Sequence, residues 1–299
     1  MKNKYRNIFL AFGIVAVLIM MFTFDMDYQE LWTNLKRAGI YLPLVLILWL
    51  LVYLINTVSW YIIIRSGGKP GFSFARLYKF TVTGFALNYV TPVGLMGGEP
   101  YRIMELKPYI GVERATSSVI LYVMMHIFSH FCFWLTSVLL YICLYPVGWG
   151  MGIILGAITI FCLLIALLFI KGYQHGMAVA FVRLGSRLPF LKKKVIHFAE
   201  VHREQLENID QQIALLHRQK KQTFYAALSL EYMARVVSCL EIWLILNVLT
   251  THVSFADCCL IAAFSSLLAN LLFFLPMQLG GREGGFALAV GGLSLSGAY

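Results

Sequence analysis

Long apolar segments separated by short charged stretches run through this chain, and several are long enough to cross a membrane as helices. The segment Ile40–Ile64 has 25 residues and no Asp, Glu, Lys or Arg. About 20 apolar residues of α-helix are enough to cross the hydrocarbon core of a bilayer. The pattern therefore predicts a span here and further spans at Ile8–Phe24, Thr223–Leu249 and Ala256–Leu275.

The longest uncharged stretch, Ala115–Ile170, has 56 residues, which is too long for one span and suits two. Tyr145–Gly150 contains proline, glycine and a tryptophan, which favours a turn at the membrane interface. Earlier in the chain, Ser73–Val90 is typical of a short amphipathic or half-inserted helix.

Two polar interruptions stand out from the apolar background. Thr91–Arg102 reads T-P-V-G-L-M-G-G-E-P-Y-R, and Leu275–Phe286 reads L-P-M-Q-L-G-G-R-E-G-G-F. In each, a glutamate follows the proline by seven residues, with a Gly-Gly pair between them. Proline and glycine interrupt helices, and in hydrocarbon the freed backbone groups are tolerated only inside protein or beside a water-filled cavity. Paired interruptions of this kind point to a transporter binding site, and two ordinary turn-rich loops are the alternative.

Composition supports a membrane protein. The chain is 60% hydrophobic and 13% charged, whereas soluble domains contain about 25% charged residues. We predict an all-α polytopic membrane protein with about six to eight transmembrane helices, forming a single domain over residues 1–299. The last apolar segment, Gly285–Leu295, is short, which leaves open a further span after Tyr299.

The net charge of +10 is concentrated in particular segments. Lys171–Gln222 carries ten Lys or Arg against four acids, and we expect it to lie as amphipathic helices on the cytoplasmic leaflet or to be simply solvated. Together with Arg65–Arg114 it holds 17 basic residues, whereas the presumed outer loops hold Lys36 and Arg37. The positive-inside rule then predicts a cytoplasmic N-terminus in the plasma (bacterial inner) membrane. In this orientation the two interruptions are entered from opposite sides, as in an inverted repeat.

The cysteines and histidines do not form a recognisable metal motif. None of the six cysteines forms a C-x-x-C pair, and we expect all six to be reduced, buried and small apolar residues. His126 and His130 are four residues apart, a spacing that can hold a metal, but no third ligand accompanies them. Interhelical hydrogen bonding is the simpler interpretation, and we expect neither a metal nor a cofactor.

Charges inside the predicted spans supply the remaining candidates. Glu231 and Arg235 are one helical turn apart, and Glu241 lies deeper in the same span. Such residues usually face a cavity or a partner, although Glu231 could instead extend to the interface beside Arg235. The full set of predicted lipid-binding residues is Asn88, Thr91, Pro92, Gly97, Gly98, Glu99, Arg102, Glu231, Arg235, Glu241, Asn270, Pro276, Gly280, Gly281, Arg282 and Glu283.

Roles within this set follow from charge. Glu99 and Glu283 are expected to hold cationic parts of a headgroup or to exchange protons, and Arg102, Arg235 and Arg282 to meet phosphate. Asn88, Thr91 and Asn270 stand at the ends of helices that lead into the interruptions, where each could cap a half-helix or contact a headgroup.

The two interruptions also carry a family resemblance. They read P-x-x-x-x-G-G-E-x-x-R from Pro92 to Arg102 and P-x-x-x-G-G-x-E from Pro276 to Glu283. With the span layout and the basic segment, the chain resembles the flippase-like transmembrane region of lysylphosphatidylglycerol synthases. The resemblance implies movement of phospholipids between leaflets, with two re-entrant helix pairs meeting near mid-membrane. The synthases add a soluble aminoacyl-transferase domain, to which nothing here corresponds, so their synthetic activity is not implied.

Two other functions remain open. An integral-membrane enzyme acting on a lipid-linked substrate would need an acid/base group, which only His126 and His130 with Glu231 and Glu241 offer. A non-transporting partner of an envelope lipid enzyme is the other alternative. Binding of phospholipids with anionic headgroup contacts is expected in any of these functions, nucleic acid is not expected, and a homo-oligomer is left open.

The basic segment gives a first testable prediction. Replacing Lys192, Lys193 and Lys194 with glutamine should weaken binding to anionic liposomes, because each lysine near such a surface contributes about 1 kcal/mol. Cosedimentation with liposomes of graded anionic lipid content measures the change. Unchanged binding would mean that the segment is solvated and has no lipid role.

Overall fold

The computed structural model describes residues 28–90, 98–175, 211, 221–249, 253–271, 286 and 289, and these residues are helical with short connections. The helices are α1 (Tyr28–Ala38), α2 (Tyr41–Ser66), α3 (Phe74–Val90), α4 (Gly98–Ile110), α5 (Val112–Leu144), α6 (Trp149–His175), α7 (Lys221–Leu249) and α8 (Phe255–Leu271). The prediction of an all-α polytopic membrane protein is confirmed.

Within the described ranges, three helices are long and apolar enough to cross a membrane, namely α2, α5 and the Trp149–Leu167 part of α6. The turn predicted between the last two is present, because α5 ends at Leu144 and α6 begins at Trp149. Pro146 in this turn has no backbone N–H to continue α5. The α6 helix extends to His175, so the first five residues of the predicted polar segment Lys171–Gln222 continue a helix.

The predicted helices at Ser73–Val90, Thr223–Leu249 and Ala256–Leu275 correspond to α3, α7 and α8. The α8 helix begins with a side-chain cap, since Ser254 Oγ accepts a hydrogen bond from Asp257 N at 3.1 Å. Ile8–Phe24 and nearly all of the segment from 176 to 220 lie outside the described residues, and so does the second interruption except for Phe286.

The first interruption is shorter than predicted. Helix resumes at Gly98, so the last five residues of Thr91–Arg102 belong to α4. Glu99 stands in the first turn, where its charge suits the positive end of the helix dipole, and Pro100 is tolerated there because first-turn N–H groups need no helical partner. The remaining residues, 91–97, lie outside the described part of the chain.

The described residues divide into two compact units. The first contains residues 28–54, 79–90, 98–101, 235–249, 253–271, 286 and 289, and the second contains 55–78, 102–175, 211 and 221–234. In the first unit, Leu246, Cys258 and Ile261 form a buried cluster against which Phe286 packs. The residue that ends the second interruption is therefore packed against α7 and α8. The single domain predicted for the chain stays a prediction.

The cysteines follow the prediction only in part. All six are free, and Cys162, Cys239, Cys258 and Cys259 are buried, but Cys132 is partly exposed and Cys143 is exposed. These two cysteines are not buried because an apolar side chain on a membrane helix can face lipid as readily as protein.

The side chain of Arg114 binds the C-terminal end of α2 within the second unit. The Arg114 guanidinium donates to the carbonyl oxygen of Ile64 at 2.8 Å and also to that of Gly68. Gly68 has a φ of +127°, a backbone conformation that favours glycine. The Ile64 carbonyl also accepts a hydrogen bond from Gly67 N at 3.2 Å, so the arginine adds a second bond at the end of α2 and ties it to the Gly68 carbonyl just beyond the helix.

Replacing Arg114 with alanine should therefore destabilise the protein by about 1–3 kcal/mol, the usual contribution of a hydrogen bond to a charged donor. Thermal unfolding in detergent, followed by size-exclusion chromatography, measures the effect. Arg65→Ala, which removes an exposed arginine from the last turn of the same helix, is the matched control and should have little effect. Equal loss in both variants would contradict the capping role.

Candidate functional site

A histidine and a glutamate from two long helices meet in the second unit. His126 Nδ1 of α5 lies 2.8 Å from Glu231 Oε2 of α7. The glutamate is only 1% exposed, whereas the histidine side chain is 31% exposed. His126 lies roughly 20 Å along α5 from its first residue, at 1.5 Å per residue, so the pair is well inside a spanning helix. Intramembrane ionisable groups are costly and are usually functional.

This contact decides between two interpretations of Glu231. Glu231 does not extend to the interface beside Arg235, because its carboxylate is buried against α5. The interhelical hydrogen bond expected of His126 is confirmed. Arg235 is partly buried one turn further along α7, and its carbonyl oxygen accepts hydrogen bonds from Ser238 Oγ and Cys239 Sγ.

A buried arginine lies in the same unit. Arg102 of α4 is 1% exposed, and its Cζ lies 5.7 Å from the ring centroid of Trp60 and 5.2 Å from that of Tyr122. The two rings also contact each other, with centroids 5.5 Å apart. Arg102 therefore does not face water, because its guanidinium packs on the faces of two aromatic rings in the interior.

Ring contacts connect the arginine to the histidine along one face of α5. The rings of Tyr122 and His126 have centroids 6.4 Å apart, and those of His126 and His130 are 5.6 Å apart in an edge-to-face arrangement. Trp134 continues the row at 5.5 Å from His130. The helical spacing of four residues places these rings one above the other. We call Arg102, Trp60, Tyr122, His126 and Glu231 the α5 cluster.

The start of α4 forms a second polar feature, in the first unit. Gly98 N donates to Asn88 Oδ1 at 2.7 Å, and Asn88 Nδ2 donates to Glu99 Oε1 at 3.1 Å. Asn88 thus caps α4 from the neighbouring helix α3, one of the two roles expected of it. A Cβ added at Gly98 would collide with the carbonyl oxygen of Gly84 and lie 2.8 Å from Asn88 Oδ1. Only glycine allows the two helices to approach this closely.

Two further predicted residues lie elsewhere in the first unit. Glu241 Oε1 accepts a hydrogen bond from Trp49 Nε1 at 3.0 Å, so an indole from α2 partners this intramembrane carboxylate. Asn270 Nδ2 donates to Ser266 O in its own helix at 2.7 Å, so it bonds within α8. The structure thus brings Asn88, Gly98 and Glu99 together and places Glu231 with His126.

The remaining predicted residues lie outside the described part of the chain: Thr91, Pro92, Gly97, Pro276, Gly280, Gly281, Arg282 and Glu283. Among the described residues, no three His, Cys, Asp or Glu side chains converge as metal ligands.

Sequence reasoning did not identify Trp49, Trp60 or Tyr122 as site residues. Aromatic residues inside a membrane helix look like lipid-facing or core residues, and nothing in the local pattern marks the ones that contact a charge. The one available signal was the spacing of Tyr122, His126 and His130, which places all three on one helix face.

The close approach at Gly98 gives a prediction about the start of α4. Gly98→Ala should displace α4 from α3 and destabilise the protein by about 1–3 kcal/mol, as overpacking usually does. Gly156→Ala is the control, since nothing lies within 4 Å of its added Cβ and alanine favours helix. Thermal stability of the two variants in detergent measures the contrast. Equal stability would contradict the tight contact.

Comparison with known proteins adds one finding to this geometry. Residues 8–299 match the family model described as the lysylphosphatidylglycerol synthase TM region. No curated protein and no solved structure matches the chain. The matched segment covers nearly all of the 299 residues and includes the α5 cluster and the start of α4. The chain therefore belongs to the family of the lysylphosphatidylglycerol synthase transmembrane region.

Proposed function

We propose that this protein moves a phospholipid or a lipid-linked headgroup between the two leaflets of the membrane. A headgroup needs a polar, protein-lined route at mid-membrane, whereas its acyl chains can remain in lipid. Membership of a membrane family named for a lipid synthase supports a lipid as the substrate.

One observation carries the proposal, namely the α5 cluster. It places a buried arginine on α4 and a buried glutamate on α7 beside a histidine on the spanning helix α5, where each charged group costs free energy. A protein that needed only to sit in the membrane would gain nothing from these groups. Their retention in the interior supports a polar function at that depth.

The arginine suits a phosphate group. A guanidinium presents its N–H donors in a planar fork that binds oxyanions, and that of Arg102 lies over the rings of Trp60 and Tyr122. Because Arg102 is 1% exposed, we infer that α4 or the Tyr122 ring moves when a headgroup enters.

The start of α4 suits a headgroup that approaches from the first interruption. The helix N-terminus carries partial positive charge, and Glu99 adds a carboxylate beside it. We propose that Glu99 and Glu283 hold cationic parts of the headgroup and that Arg235 and Arg282 join Arg102 in contacting phosphate. The other predicted residues of the two interruptions, with Glu241 and Asn270, would line the same route.

The proposed topology follows the distribution of basic residues. The N-terminus lies in the cytoplasm, the protein lies in the plasma membrane, and Lys171–Gln222 rests on the cytoplasmic leaflet. The two interruptions are then entered from opposite sides of the membrane, as an inverted repeat requires.

A second candidate function, a membrane enzyme, is favoured by a different contact. The 2.8 Å approach of Glu231 to His126 is the arrangement in which a carboxylate orients an imidazole for general acid/base chemistry. Mass spectrometry of lipids incubated with the purified protein separates the two functions, because an enzyme would change the mass of a lipid and a translocator would not.

Glu99 provides the test of translocation. In liposomes that carry fluorescent phospholipids in one leaflet, Glu99→Gln and Glu283→Gln should reduce the rate of lipid movement at least tenfold, about 1.4 kcal/mol in activation free energy, while the protein remains folded. Glu113→Gln is the matched control, because it removes an exposed carboxylate from the first turn of another helix, α5.

Three outcomes are informative. Full lipid movement in both glutamine variants would show that these carboxylates only shape the loops. Loss of folded protein in both would assign them a structural role. Failure of the unaltered protein to move any of a panel of headgroups would count most strongly against translocation.

A further inference from the structure

We propose that His126 and Glu231 together form one proton-exchange site inside the membrane and that this proton is coupled to lipid movement. The proton site itself stands on geometry, and only the coupling rests on the proposed function. The pair lies on α5 and α7, away from the glutamates of the two interruptions in the sequence.

The two side chains are close enough to share a proton, and only one of them is exposed. Glu231 is 1% exposed, and one of its oxygens lies 2.8 Å from His126 Nδ1. Its other oxygen, Oε1, is buried and has no hydrogen-bond partner among the described residues. The imidazole is 31% exposed and the carboxylate is not, so we infer that the proton enters through the histidine ring.

The charge of the pair changes by one when it takes up a proton. A neutral imidazole beside a carboxylate has a net charge of −1, and one added proton makes the pair neutral overall, whichever partner carries it. Buried net charge costs free energy, so the two states differ in how they interact with nearby ions. The hydrogen-bonded contact can be kept in both states, because the proton lies between the two groups.

A change in the charge of the pair acts on the charged and titratable residues near it, among those that the structure describes. Tyr122 and His130 lie on α5, Tyr232 lies on α7, and Arg102 reaches the Tyr122 ring from α4. Arg235 follows Glu231 one turn along α7. Arg102 and His126 both contact the ring of Tyr122, whose centroid lies 5.2 Å from Arg102 Cζ and 6.4 Å from the centroid of His126.

This arrangement links the proton to a phosphate. In the proton-free state the negative pair attracts the guanidinium and repels an incoming phosphate, whereas in the proton-bound state both effects disappear. Binding of a proton and binding of a phosphate headgroup at Arg102 therefore favour each other, and such coupling is reciprocal. A proton and a lipid that bind cooperatively move in the same direction.

A purely structural role for the pair is less favoured, because neutral hydrogen bonds already join these helices. Thr136 Oγ1 of α5 lies 3.0 Å from Tyr232 Oη of α7, and Ser59 Oγ of α2 donates to Ala227 O of α7 at 3.2 Å. Buried ion pairs are often no more stabilising than apolar contacts of the same size.

The first experiment measures proton binding without transport. Infrared difference spectra of the purified full-length protein between pH 5 and pH 9 should contain carboxyl or imidazole bands that disappear or shift in Glu231→Gln and His126→Gln. Thr136→Val is the matched control, since it removes a neutral contact between the same two helices, and its spectrum should equal that of the unaltered protein. Size-exclusion chromatography and circular dichroism check that each variant is folded, and two independent substitutions keep the test valid if one of them is not.

The second experiment measures coupling. Liposomes with a gradient of one pH unit should accumulate labelled phospholipid in the leaflet on the alkaline side up to about tenfold, the limit for one proton per lipid. Glu231→Gln and His126→Gln should let lipid equilibrate to a ratio of about one, and Thr136→Val should keep the gradient-driven ratio.

Each result tests a separate part of the proposal. Bands that do not change in either variant would overturn the proton site. Changed bands with a lipid ratio of one in the unaltered protein would overturn the coupling while leaving translocation intact. If the unaltered protein moves no lipid at all, translocation and its coupling both fail, and the infrared spectra alone confirm or overturn the proton site.

Discussion

The cost of placing charge in an apolar interior governs the second unit of this protein. Glu231 is buried on α7, and its carboxylate is tolerated because His126 lies at hydrogen-bond distance from α5. The same constraint explains the surroundings of Arg102, whose guanidinium packs against Trp60 and Tyr122. In this interior the arginine is held by aromatic rings and the glutamate by a histidine, and Tyr122 contacts both the arginine and the histidine.

Backbone groups at helix ends obey a related constraint. A helix that ends inside protein leaves donors or acceptors without partners, and in a membrane water does not supply them. Arg114 binds the Ile64 carbonyl near the end of α2 and the Gly68 carbonyl just beyond it, and Asn88 caps the start of α4 with one hydrogen bond. Both partners come from a neighbouring helix, so each helix end is also a packing contact. Gly98 permits the second of these contacts because it has no side chain between α3 and α4.

These two constraints connect the fold to the proposed translocation. A route for a headgroup needs polar groups at depth and helix ends that can face them, and both are present in this chain. The family match supports the proposal that the substrate is a lipid. The α5 cluster adds a reason for a membrane protein to retain a histidine on a spanning helix, because imidazole is the side chain that most readily exchanges a proton near neutral pH.

The sequence by itself determined the helical membrane class, the helices α2, α3, α5, α6, α7 and α8, and the turn before Trp149, because apolar length and proline act locally. It also identified Asn88 as a candidate helix cap and His126 as a residue for interhelical hydrogen bonding. Only the tertiary structure decided that α4 begins at Gly98, that Glu231 pairs with His126 and Glu241 with Trp49, and that Arg102 is buried against two aromatic rings. These contacts join residues from 20 to 192 positions apart, and helix packing, which no local pattern encodes, brings them together.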